Sequence, residues 1–121
     1  MADRSPLVAL GALNAALAVA AGAFAAHALR DRLEARALEV FETGARYHMY
    51  HAVAMVLAGM LVATRGANTA GWLFQAGIAL FSGSLYALAL TDVKGLGAIT
   101  PIGGVAFLAV WLWLAWSAWR G

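Results

Sequence analysis

Four long stretches of this chain carry no charge. Residues 5–29, 47–64, 66–91 and 95–119 contain no Asp, Glu, Lys or Arg, giving runs of 25, 18, 26 and 25 residues. An α-helix rises 1.5 Å per residue, so about 20 apolar residues cross a hydrocarbon core of about 30 Å. All four runs are near or above that length. With only 12% of its 121 residues charged, a soluble fold would have to bury four helices with scarcely any polar face. The expectation is an all-α integral membrane bundle of four transmembrane helices, one domain over 1–121. Its spans fall at about 6–29, 47–63, 70–90 and 101–119.

The charges concentrate between the first two runs, in RDRLEARALEVFETGAR (30–46). There Leu33, Ala37, Phe41 and Ala45 recur at i, i+4, with acids and arginines on the other faces. That pattern predicts an amphipathic interfacial helix as the connection 30–46, with Thr43-Gly44 as a bend and Glu42–Arg46 as an ion pair. Pro6 suits a first helical turn, and Thr100-Pro101 reads as an N-cap followed by proline. Small residues repeat at helical spacing: Gly11, Ala15, Val19, Ala23 and His27 in the first span, and Ala79, Gly83 and Ala87 in the third. Such stripes let helices approach closely in lipid, and Gly103-Gly104 reads the same way.

Four crossings put both chain ends and the Arg65 loop on one side, where Trp72, Trp116 and Trp119 meet the interface that indoles favour. Tyr47 and Tyr50 fall at the opposite interface. Basic residues number three on the terminal side (Arg4, Arg65, Arg120) and five on the other (Arg30, Arg32, Arg36, Arg46, Lys94). Retention of basic loops in the cytoplasm then leans toward termini outside. The first run exceeds a secretory signal's hydrophobic region and is read as a retained helix. The net charge of +2 forms no basic patch, so nucleic acid is not expected as a partner. Cysteine is absent, which excludes disulfides and thiolate metal sites.

Chemistry has few footholds. His27, His48 and His51 are the only histidines and are expected to share one membrane face. Histidines on facing helices can hold zinc or haem, but no metal-site motif accompanies them, so neither metal nor cofactor is expected. Asn14, Gln75, Ser82, Ser84 and Tyr86 form an intramembrane polar set, read as interhelical hydrogen-bonding glue or as the lining of a solute path. Ser82-Gly83-Ser84 lacks a nucleophile elbow's flanks, and Gly95 and Gly97 follow no strand. No enzymatic activity is expected.

The stretches GAFAAHAL (22–29), VFETGARYHMYHAVAMVLAG (40–59), LFSGSLYAL (80–88) and ITPIGG (99–104) resemble domain of unknown function family 423. Its eukaryotic relatives are called transmembrane protein 256. The resemblance covers almost the whole chain. It implies a multi-span protein of the bacterial cytoplasmic membrane and assigns no activity. His27, Phe41, Thr43, Gly44, Tyr47, His51, Gly83, Ser84, Tyr86, Pro101, Gly103 and Gly104 match its recurring pattern. Ala25 and His48 depart from it, standing where the pattern carries Gly and Gln, so His48 is a poor carrier of any shared activity. The candidate functional cluster is therefore His27, Glu42, Thr43, Tyr47, His51, Ser84 and Tyr86. Helix packing is assigned to Gly11, Ala15, Ala79, Gly83, Ala87, Gly103 and Gly104. The leading expectation is a non-enzymatic component of the cytoplasmic (inner) membrane, either a homo-oligomer or part of a larger membrane complex. An oligomeric transporter or channel stands second and a His-ligated metal or haem protein third.

Overall fold

A computed structural model of the chain describes residues 5–121; Asp3 and Arg4, used above in counting charges, lie outside them. Four helices follow one another: α1 (Pro6–Phe24), α2 (Ala35–Met60), α3 (Ala67–Thr91) and α4 (Thr100–Arg120). The fold is all-helical. Three segments are long and apolar enough to cross a membrane, Pro6–Leu29, Ala67–Thr91 and Lys94–Arg120. α2 falls short because its first half carries the charges of the 30–46 stretch.

That stretch corrects one expectation. From Ala35 onward it belongs to the same unbroken helix as the apolar residues up to Met60, so no separate interfacial helix precedes the second run. Thr43 and Gly44 do not bend the chain. The Thr43 hydroxyl donates to the Glu39 carbonyl one turn back, a contact made without leaving the helix. Gly44 is required by a neighbour: a Cβ there would stand 3.1 Å from Tyr86 Cε1 and 3.2 Å from Leu85 Cβ. Glu42 and Arg46 make no ion pair; among the described residues that contact joins Lys94 to Asp92 at 2.9 Å.

The helix starts are built locally. Ser5 caps α1 by accepting from the Leu7 amide at 3.2 Å, with Pro6 in the first turn. At α4, Pro101 lies in the first turn but Thr100 is not the cap. Its hydroxyl reaches across to Ser84 Oγ at 2.6 Å. After Phe24 the first helix widens into a π-turn over Ala25–Leu29, which directs both Ala25 and Leu29 inward against Phe41 and Ala89.

The helices stand in a row. α1 packs along α2, α2 along α3 and α3 along α4, and no Cα of α4 lies within 8 Å of one in α1 or α2. The larger core lies where α1, α2 and α3 meet and includes Leu7, Met55 and Phe74, all fully buried. Phe107 and Val110 of α4 close it. Glycines set the distances. A Cβ on Gly11 would stand 2.8 Å from the Val56 nitrogen, one on Gly59 2.8 Å from the Val8 nitrogen, and one on Gly103 2.6 Å from the Phe81 nitrogen. The helices cannot come this close with any larger residue at these positions.

The small-residue stripes are only partly used. Gly11 and Gly103 pack as expected. Ala15 is half-buried, Val19 and His27 are exposed, and Ala79 and Gly83 face outward. Gly104 has room for a Cβ, its nearest neighbour being Phe81 at 3.6 Å. The reason is helical phase. Steps of four residues on a helix of 3.6 per turn drift by about 40° each, so a long i, i+4 series leaves the face on which it starts. The buried face of α1 is Leu7, Gly11, Asn14 and Ala18, which alternates steps of three and four.

Gly11→Val should force α1 away from backbone atoms of α2 and cost about 1–3 kcal/mol. Gly22→Val, where nothing lies within 4 Å, should leave stability within about 0.5 kcal/mol. Thermal unfolding of the two variants in detergent checks both, and equal losses would contradict the packing described.

Candidate functional site

Polar side chains inside the helix row converge on α2, and the residue at their centre is His48. Its ring is 6% exposed. His48 Nδ1 lies 2.9 Å from the Tyr86 hydroxyl of α3, and His48 Nε2 lies 2.9 Å from Asn14 Oδ1 of α1. The Asn14 amide nitrogen donates to the Leu10 carbonyl at 2.9 Å and to Gln75 Oε1 at 2.8 Å, with Met55 Sδ at 3.8 Å. A carbonyl can only accept, so the contact with Leu10 fixes which end of the Asn14 amide is NH2. Asn14 Oδ1 must then accept from His48 Nε2–H, and His48 Nδ1 accepts from Tyr86. The result is a one-directional chain of donors, Tyr86 to His48 to Asn14 to Gln75, tying together three helices.

His51 forms a second, separate centre. Its Nδ1 lies 2.8 Å from the Tyr47 carbonyl, where it donates, and its Nε2 accepts from Trp111 Nε1 at 3.0 Å. The ring stacks on Phe107 with centroids 3.6 Å apart and planes 4° from parallel, and Phe74 flanks it at 5.3 Å. Both nitrogens are used, and the flat face is covered by an aromatic ring. Two further hydroxyls knit α3 to its neighbours. Ser82, fully buried, donates to the Gly44 carbonyl at 2.7 Å. Ser84 donates to the Phe81 carbonyl at 2.9 Å and meets Thr100.

The expected cluster is therefore divided. Tyr86 belongs to the His48 chain, His51 to the aromatic cage and Ser84 to the α3–α4 contact. Thr43 bonds its own helix, Glu42 is exposed, and His27 lies exposed in the π-turn. The three histidines do not share an end of the molecule. Tyr47 rests on Phe81, ring centroids 5.2 Å apart, near the middle of α3, and His48 and His51 are equally deep. Both lie near the middle of α2, which runs unbroken from Ala35 to Met60. For the same reason Tyr47 and Tyr50, which stack on each other at 5.4 Å, form no aromatic belt at a helix end. Among the described residues no three His, Asp or Glu side chains stand together as metal ligands.

The arrangement builds hydrogen-bond specificity into the helix row, since every nitrogen of His48 and His51 is engaged. A double-mutant cycle between Tyr86→Phe and His48→Ala should return a coupling of about 0.6 kcal/mol or more, the range of interhelical hydrogen bonds in membrane proteins. His48→Gln keeps one donor and one acceptor, whereas His48→Ala strands Asn14 and Tyr86 together and should cost about 2–4 kcal/mol. Unfolding in detergent reads both, and zero coupling would remove the Tyr86–His48 bond from the account.

Comparison with known proteins agrees with the architecture. A family described as "Protein of unknown function (DUF423)" matches residues 21–104. The UPF0382 membrane protein YwdK of Bacillus subtilis is 50% identical over 113 residues, covering 90% of this chain and 92% of that protein. A UPF0382 membrane protein of Staphylococcus epidermidis is 51% identical over 105 residues, 85% and 86% of the two chains. SH2409 of Staphylococcus haemolyticus is 45% identical over 113 residues, 92% and 93% of the two. No solved structure matches the chain. With three apolar helices of membrane-crossing length and relatives named as membrane proteins over nearly their whole length, the chain belongs to the DUF423 family of membrane proteins.

Proposed function

We propose that this protein is a four-crossing, non-enzymatic component of the cytoplasmic membrane that acts by lateral association with copies of itself. One observation carries the reading. Of the stripe Ala79, Gly83 and Ala87 on α3, the first two are exposed and Ala87 is half-buried, and a Cβ on Gly83 would meet only its own helix, the Ile78 carbonyl at 4.0 Å. In lipid, where burying apolar surface between helices gains little, a strip of small residues is the feature that lets a second backbone approach. The polar side chains a solute path would use are hydrogen-bonded to other groups of the protein, which favours packing over transport.

The fourth crossing is α2 itself. Its 26 residues measure about 39 Å, close to a bilayer with its headgroup zones. The half from Arg36 to Arg46 then runs through the polar zone, and Arg46 extends its head toward water. Retention of basic residues in the cytoplasm puts Arg30, Arg32, Arg36, Arg46 and Lys94 inside.

In lipid nanodiscs the protein should run as a homo-oligomer, and Gly83→Ile should shift it toward monomer without lowering its unfolding temperature. A wild-type protein that is strictly monomeric refutes the reading, and one held by a stoichiometric foreign subunit replaces it with an accessory role. Because the chain has no cysteine, single cysteines introduced at Glu34 and Thr64 report topology. An impermeant maleimide added to intact cells should label Thr64→Cys and spare Glu34→Cys. Labelling of both from the same side would rule out a crossing by α2.

A further inference from the structure

At the end of the row where α2 passes into α3, a cavity of about 440 Å3 is lined by Arg65, Gly66, Thr69, Trp113, Trp116, Ser117 and Arg120. Three features give it a chemical character. The first is charge. Two guanidiniums line it, and among the described residues no carboxylate is within ion-pairing distance of either. The Arg120 guanidinium lies 5.4 Å from the centre of the Trp116 ring, which limits its freedom. The second is backbone polarity. The amides of Ala67 and Ala70 are satisfied by the Thr64 and Gly66 carbonyls, but those of Asn68 and Thr69 have no partner among the described residues, and the Gly66 cap position offers no side chain. The start of α3 therefore presents free N–H groups, with the positive end of the helix dipole behind them. The third is Ser117. It is 7% exposed, lines the cavity, and makes no hydrogen bond to any described residue. A serine in a helix often returns its hydroxyl to the preceding turn, whereas this hydroxyl is left open to the cavity. Gly66, with φ 85°, lets the chain turn directly over it, because a Cβ there would stand 2.7 Å from Ser117 Cβ.

Two guanidiniums, a serine hydroxyl and the start of α3 thus border one space that is rich in donors. The missing partner is an anion with several oxygens, and tetrahedral phosphate fits forked and convergent donors. Trp113 and Trp116 flank the site with the indoles that mark a membrane interface. We propose that this pocket binds the phosphodiester of an anionic phospholipid. Among the described residues no acidic side chain lines it to receive the amine of a zwitterionic headgroup, so a headgroup such as glycerol is preferred.

The delipidated full-length protein in detergent, titrated with phosphatidylglycerol or phosphatidylethanolamine and read by native mass spectrometry, tests this. Phosphatidylglycerol should bind in preference, and Arg65→Gln and Arg120→Gln should each weaken it about tenfold, the loss of one charge-assisted hydrogen bond. Ser117→Ala should weaken it less. Arg32→Gln, at the other end of the row, should leave it unchanged, with the unfolding temperature confirming that every variant is folded. Equal binding of the two lipids, or binding indifferent to Arg65, Arg120 and Ser117, overturns the proposal. Displacement of phosphatidylglycerol by millimolar inorganic phosphate would assign the pocket to a soluble anion and overturn it as a lipid site.

Discussion

α2 has to be sheltered, and the positions of the other helices follow from that. It is the least apolar helix, and it carries two buried histidines, His48 and His51. An imidazole facing hydrocarbon would leave both nitrogens unsatisfied, at a cost of a few kcal/mol. Flanked by α1 and α3, α2 finds Asn14 on one side and Tyr86 on the other, and α4 adds Trp111 for His51. The glycines then matter because hydrogen bonds of 2.9 Å between side chains on different helices require closely spaced backbones. Gly11 and Gly59 hold α1 against α2, and Gly44 brings α2 against Tyr86.

The membrane class and the all-helical fold were legible in the runs free of charge, because desolvating a charge is the largest energy in the problem. So was the polar set, where Asn14, Gln75, Ser82, Ser84 and Tyr86 proved to turn inward and pair. His48 was passed over because it departs from a family pattern. Its place depended on which groups of α1 and α3 meet it, Asn14 and Tyr86, and spacing within α2 does not show that. A helix does not stop where its charges stop: Arg36, Glu39, Glu42 and Arg46 point outward and cost the helix nothing.

The glycine pattern was harder to read. Gly59, Gly71 and Gly77 pack as tightly as Gly11 yet belong to no stripe, because a contact between two helices crossing at an angle involves only one or two residues of each. The Ala79, Gly83 and Ala87 series looked like an internal seam, yet Ala79 and Gly83 face away and Ala87 is half-buried. Composition tells that small residues are present; only the partner's position tells which of them are used. Thr100 is a similar case, since Ser84 on a neighbouring helix outcompetes its own backbone for the hydroxyl.

The row arrangement has a consequence for how the molecule comes apart. In a closed bundle each helix leans on two others, so loosening one disturbs all. Here α1 and α4 are the outer members, each leaning chiefly on one neighbour, and α2 and α3 form a central pair held by Ser82, Gly44 and Tyr86. Unfolding is then graded, with opening of an outer helix a smaller event than separation of the pair. Early in insertion, the α2–α3 hairpin joined by the short turn at 61–66 can assemble as a unit. The outer helices dock on it afterwards, α1 completing the polar chain through Asn14 and α4 closing over His51.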